Sequence, residues 1–292
     1  MRAAMCHAAA GATRSRFAAP RLAASLLAAA LLAAALLVAS PARAQERPDL
    51  HAAPFMEAMT WTEIRDAIAG GKKIAIIPTG GTEQNGPHMV MGKHNYIVTF
   101  AAGLLAQRLG NALVAPTLQY VPEGDYTRPG FGDKPGVISL LQPAYEQVLD
   151  AAVRSLKVHG FTDIILIGDS GGNQRGMVNI AKALNAEWGG GGVRVHALTD
   201  YYEQGRLLIR DYLNKTYGWS EQTVGSHAGT SDTSQLLYVY AQGIRMDKLA
   251  VNGGSPDAGV QGDPTKASAE IGKIAIDFKV NAAVKQFRGG QP

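Results

Sequence analysis

The side chains able to do chemistry gather in three short polar stretches. Residues 78–95 carry Glu83, Asn85, His88 and His94. Residues 168–175 carry Asp169, Ser170 and Asn173, and residues 225–234 carry His227, Asp232 and Thr233. Carboxylates and imidazoles with no sulfur ligand among them suit a hard-to-borderline divalent ion such as Zn²⁺ or Mn²⁺. Such an ion lowers the pKa of bound water and polarises a carbonyl, so hydrolysis is the natural reaction for the set.

Each residue also has a plainer role open to it. Glu83, in a Gly-rich loop, can cap a turn or a helix amino terminus, and Asn85-Gly86 is a common turn dipeptide. His88 after Pro87 can be a buried structural histidine. His94 falls near a helix start, where histidine is not a preferred cap. Asp169-Ser170-Gly171-Gly172 can cradle a phosphate at a helix start, although it lacks the spacing of a P-loop or dinucleotide fingerprint. Gly168, Ser170 and Gly172 meet the Gly-x-Ser-x-Gly spacing of a serine nucleophile only formally, and no triad acid can be assigned.

The elements that must position these residues alternate between strand and helix. Ile74–Ile77 is a continuous apolar run of the buried parallel-strand kind, stopped by Pro78, Gly80 and Gly81. Thr60-Trp-Thr-Glu63 predicts a capping box opening a helix to about Ala69. Further helices are predicted over about 95–109, 142–159, 176–188, 200–217, 235–241 and 265–287. Strands are predicted at 112–115, 163–167 and 193–198. The long Gly/Pro/aromatic loop 116–135, with Tyr120, Tyr126, Arg128 and Phe131, is of a length that is usually functional. The pattern predicts a single α/β domain with a mostly parallel sheet flanked by helices. In such a sheet the three polar stretches open on one edge and can converge.

Composition needs one correction before it can be used. Arg2, Arg14, Arg16 and Arg21 precede an Ala/Leu-rich run over 22–38, and Ser40-Pro-Ala-Arg-Ala44 follows. That is the layout of a secretory signal peptide cleaved after Ala44, which predicts a periplasmic or secreted protein with its domain over 45–292. The predicted leader holds five of the 28 Lys and Arg and none of the 24 acids, so the remainder has 23 against 24 and a net charge of −1. The overall charge of +4 is therefore no argument for nucleic-acid binding. With the leader gone no membrane attachment is expected. Cys6, the only cysteine, leaves as well, and with it any disulfide, thiolate metal site or cysteine nucleophile.

Taken together, the motifs resemble those of the creatininase (creatinine amidohydrolase) family. The matching segments are Glu83-Gln-Asn-Gly-Pro-His88, His94, Gly168-Asp-Ser-Gly-Gly-Asn173, His227-Ala-Gly-Thr-Ser-Asp-Thr-Ser234 and Gly259-Val-Gln-Gly-Asp-Pro264. They follow the family's order and spacing over roughly residues 55–285. The resemblance implies a three-layer sandwich, a homo-oligomer and hydrolysis of a small cyclic or linear amide at a C–N bond other than a peptide bond. In the family a Glu, a His two residues later, an Asp and a second-motif His help hold two divalent ions. Here Glu83 alone is retained; Asn85, His94 and Ser170 occupy the other three positions.

The resemblance therefore implies a rebuilt site with one ion, Zn or Mn, on Glu83, His94 and Asp169, with His227 and Asp232 catalytic. Asn85, His88, Ser170, Asn173, Tyr126 and Arg128 are the expected substrate contacts. The rival expectation is a catalytically inactive small-molecule-binding protein on the same fold.

Overall fold

Four parallel strands run through the centre of the protein in the order β2-β1-β3-β4. They are β1 (Ile74–Thr79), β2 (Ala112–Val114), β3 (Asp163–Gly168) and β4 (Arg194–Ala197). Ile74 of β1 stands opposite Ala112 on one side and Asp163 on the other. In the computed structural model the described residues are 48–127, 134–249 and 259–290. The predicted leader and Arg128 and Phe131 lie outside them.

Period-two alternation sends side chains to both faces, and both are covered. Ile74, Ile76, Ile165 and Ile167 pack with α2 (Lys93–Leu109), α7 (Thr230–Val239) and α8 (Ala269–Gly289). Ala75, Ile77, Ile164 and Leu166 face α1 (Trp61–Ala69), α3 (Gln142–Val158) and α4 (Gly171–Trp188). A parallel sheet covered on both faces is the reason these strands read as unbroken apolar runs. A third cluster joins Ile209 and Leu213 of α5 (Glu203–Tyr217), Val224 of α6 (Glu221–Val224), and Ile271 and Ala275 of α8. The result is the expected three-layer α/β domain. Among the described residues, no helix is long and apolar enough to cross a membrane.

The strand order places the site. From β1 the chain steps to β2 on one side, then crosses over to β3 on the other. The order therefore reverses between β1 and β3, and a crevice opens there beyond their carboxyl ends. Glu83 follows β1 and Asp169 follows β3, so both enter that crevice.

Three helices begin earlier than the sequence pattern predicts, and each shift matters to the site. The helix α2 starts at Lys93, so Lys93 and His94 stand on its first turn. The helix α4 starts at Gly171, not 176, because Ser170 is its N-cap and Asn173 completes a capping box. The helix α7 starts at Thr230, which puts Asp232 and Thr233 on a helix instead of in a loop.

Candidate active site

Glu83, His94 and Asp169 do meet, as a chain of hydrogen bonds. His94 Nδ1 lies 2.7 Å from Asp169 Oδ2, and His94 Nε2 lies 2.7 Å from Glu83 Oε1. A carboxylate accepts and does not donate, so this geometry places a proton on each ring nitrogen and makes His94 an imidazolium. Burial and the neighbouring Lys93 oppose that charge, but Glu83 and Asp169 outweigh them and push the His94 pKa up to about 9. Glu83 is opposed by burial too, and Lys93 and His94 bring it down to about 2.

Two lysines that the sequence reading missed complete the network. Lys93 is 1 % exposed; its Nζ sits 2.6 Å from Asp232 Oδ2 and 3.2 Å from Glu83 Oε1. Lys279 of α8 reaches Asp169 Oδ1 at 2.7 Å, and the Tyr201 hydroxyl donates to the same oxygen at 2.9 Å. Burial works against ionised Asp169, but Lys279 and His94 hold its pKa below the usual carboxylate value. Asp232 is likewise held down by Lys93 against the effect of burial. Three carboxylates are thus matched by three cations.

Lys93, two residues before the predicted helix start, left no trace in the sequence, whereas Lys279 did. Lys279 interrupts an apolar stripe formed by Ile276, Val280 and Ala283, all buried. Glu123, buried in the 116–127 loop, left no such trace. Its Oε2 accepts from the Ser170 hydroxyl at 3.0 Å, while its Oε1 is buried without a hydrogen-bond partner. Burial raises its pKa to about 8.

His227 stands at the wall of the same cavity. Its Nε2 lies 2.8 Å from the Gln84 carbonyl oxygen and 3.1 Å from the Gln84 side-chain nitrogen; the shorter contact, to a group that can only accept, favours the ring proton on Nε2. Nδ1 is then the basic nitrogen, 3.7 Å from Glu83 Oε1. Burial and Lys93 lower its pKa, which favours the neutral, proton-accepting ring. Strands of backbone hold it from behind: Gln261 N donates to the His227 carbonyl at 2.8 Å, giving the Gly259–Pro264 motif its role. Ala228, the next residue, has φ 52°, a left-handed conformation uncommon for a residue with a Cβ. Asp232 accepts from Ala228 N at 2.9 Å, so its carboxylate serves Lys93 and this backbone turn.

The expected substrate contacts divide sharply. Ser170 lines the cavity. Asn85 instead closes its own loop, donating from Nδ2 to the carbonyls of Glu83, Val90 and Met91 at 2.9, 3.1 and 3.4 Å. His88 is fully buried and lies 3.1 Å from Thr233 Oγ1 on α7. Asn173 ties α4 to the β1 loop, accepting from Ser170 N at 2.8 Å and donating to the Gly80 carbonyl at 3.1 Å. These three are staples. Tyr126 is exposed and outside the cavity wall. Tyr202 and Arg206, not foreseen, do line it.

The donor set can now be tested against a divalent ion. A shared ion needs lone pairs aimed at one point, including an unprotonated imidazole nitrogen. Glu83, His94 and Asp169 fail that test, since both nitrogens of His94 are already committed to carboxylates. A second set, Glu83, His94 and Glu123, offers one ligand atom each within 4.8 Å of one another. It can take an ion only if His94 gives up a proton and one of its two hydrogen bonds.

The shifts predict a pH profile for stability. His94 titrates near 9 folded and 6.5 unfolded; its contribution is complete below 6.5 and lost as the pH rises through about 9. Glu123, with about 8 folded and 4.5 unfolded, also loses its contribution as the pH rises. Glu83, at about 2 against 4.5, loses its contribution only on acidification. Thermal melts across pH should therefore peak near about pH 5 and decline steadily toward pH 9. A profile flat from 5 to 9 would contradict the bridged imidazolium.

Comparison with known proteins agrees with this architecture. The family model of creatinine amidohydrolase (Creatininase) matches residues 57–287. A mycofactocin precursor peptide peptidase of Mycolicibacterium smegmatis is 25% identical over 244 residues, covering 75% of this chain and 86% of that protein. A creatinine amidohydrolase of Pseudomonas putida is 26% identical over 200 residues, covering 67% of this chain and 75% of that one. A solved structure titled "Creatininase Mn" superposes with a TM-score of 0.65 at 24% identity, over 82% of this chain and all of that one. With a family model spanning nearly all of the α/β domain and relatives that are hydrolases, the chain belongs to the creatininase family.

Proposed function

We propose that this protein hydrolyses the C–N bond of a small cyclic or linear amide in the cavity between β1 and β3. The observation that carries the reading is His227, with Nε2 held 2.8 Å from the Gln84 carbonyl and Nδ1 facing Glu83 across the cavity wall. Nδ1 accepts a proton from water as its oxygen bonds to the carbonyl carbon. The same proton then passes to the nitrogen as the C–N bond breaks, leaving a carboxylic acid and an amine. The cavity is about 120 Å³, well below the ~300–1,000 Å³ of sites for drug-sized ligands, which favours a small substrate or a chain end. Arg206, stacked 5.6 Å over the Tyr202 ring at the cavity wall, would meet an anionic group on it.

Incubation of the purified protein with a panel of small amides, with amine release measured, tests the reading. Release from at least one member is expected. Binding of panel members with no amine released from any would favour the inactive binding protein instead.

A second reading places one Zn or Mn ion on Glu83, His94 and Glu123, where it would polarise the substrate carbonyl. It is favoured by the unpartnered Oε1 of Glu123. We further propose removal of residues 1–44, a periplasmic or secreted address and a homo-oligomer. The amino-terminal sequence, cell fractionation and light scattering of the purified protein test these in turn.

A further inference from the structure

We propose that Lys93, His94 and Lys279 take the place of divalent ions in this chain, so that the site is complete without a metal. The proposal rests on reading the cavity as the reaction centre, and it rejects the single-ion alternative.

Three observations carry it. First, Glu83 Oε1 already has His94 Nε2 at 2.7 Å and Lys93 Nζ at 3.2 Å. An ion at a usual Zn–O distance of about 2.1 Å from that oxygen would be forced against a buried ammonium. Second, the charges already close. Lys93 pairs with Glu83 and Asp232, His94 with Glu83 and Asp169, and Lys279 with Asp169. Of the carboxylates in this network, only Glu123 is left without a cationic partner to meet two further positive charges, and its Oε2 already accepts from the Ser170 hydroxyl. Third, the fold makes room for one of these cations. A Cβ on Gly205 of α5 would lie 2.5 Å from Lys279 Cγ, so the lysine threads past a residue that has no side chain. It is built in, not adventitious.

The substitution has a chemical meaning. Amide hydrolysis develops negative charge on the carbonyl oxygen, and preorganised positive charge in a dry site stabilises it. Lys93 is buried, fixed by two carboxylates and lines the cavity beside His227, so its ammonium is placed to hold that charge as a hydrogen-bond donor.

The decisive experiment uses the full-length protein purified without chelator. Metal content is measured by plasma mass spectrometry, and melting is followed with EDTA and with added Zn²⁺ or Mn²⁺. The expected result is substoichiometric metal and a Tm unmoved by any of the three. Lys93→Ala, which releases Glu83 and Asp232, should then gain a Tm increase with Zn²⁺ or Mn²⁺ that the parent lacks. If that variant fails to fold, Lys93→Gln supplies the same comparison.

One ion bound per chain in the parent, with Tm lowered by EDTA, overturns the proposal. Amide turnover that chelation abolishes overturns it too, while leaving the hydrolase reading standing. A metal-free, EDTA-indifferent protein that cleaves no amide has the opposite meaning: the charge replacement holds and the hydrolase reading falls.

Discussion

His227→Ala should reduce kcat on any amide the protein cleaves by about 10²–10⁴-fold, the usual contribution of a positioned acid–base group. KM should move little, because the ring is held by Gln84 and the His227 main chain by Gln261, and neither by the substrate. The folded protein should survive, since His227 is only partly buried and Glu83, the charged group it faces, keeps Lys93 and His94 as partners. The pH–rate profile is the sharper readout. In the parent the acidic limb reports protonation of a histidine whose pKa burial has lowered, so activity should persist below the usual histidine range. In the variant that limb should vanish. A variant with full kcat would remove the acid–base assignment.

Lys279→Met should cost about 3–5 kcal/mol, the range for breaking one side of a buried ion pair. Asp169 is 1 % exposed and would keep only Tyr201 and His94 as partners. For a domain of this size that corresponds to a fall in Tm of roughly 6–20 °C. The loss is a charge effect and should be partly recovered in the double variant Lys279→Met/Asp169→Asn, which removes the stranded carboxylate. Recovery would not be expected if methionine simply packed badly beside Gly205. A single-variant loss under about 1 kcal/mol would place Lys279 among weakly coupled surface pairs.

The fold was legible in the sequence wherever local chemistry and burial pointed the same way. Thr60 and Glu63 form the capping box that their spacing predicts, and Gly110 ends α2 in a left-handed conformation. The runs at 74–77 and 163–167 are strands. Legibility failed where tertiary contacts overrode propensity. Gly171 and Gly172 are poor helix formers, yet they open α4, because a Cβ on Gly172 would lie 1.9 Å from the Pro122 carbonyl oxygen. Close passage of the 116–127 loop requires glycine there, and the Ser170–Asn173 box supplies the start.

The site was half legible for a similar reason. The convergence of Glu83, His94, Asp169, His227 and Asp232 follows from a parallel sheet with polar loops at one edge. What the loops converge on does not. A histidine can be a ligand or an imidazolium, and here the decision lies in Glu83 and Asp169 taking one ring nitrogen each, with Lys93 and Lys279 completing the charge balance. Lys93 comes from a helix start beside a motif residue, and Lys279 from the last helix, outside every motif. Asn85, His88 and Asn173 sit in motif positions but face the protein's own backbone and helices. Motif spacing reveals which loops meet, not which way each side chain turns.

Ala228 carries one last implication. Its left-handed φ of 52° is the bend that swings the chain from the 225–227 segment into α7, and for an L-residue it is disfavoured by about 1–2 kcal/mol. Glycine would relax that tension and lengthen the leash on the neighbouring imidazole; a β-branched residue would be strained there well beyond alanine. The methyl group therefore acts as a compromise setting, small enough to permit the corner and large enough to keep it from wandering.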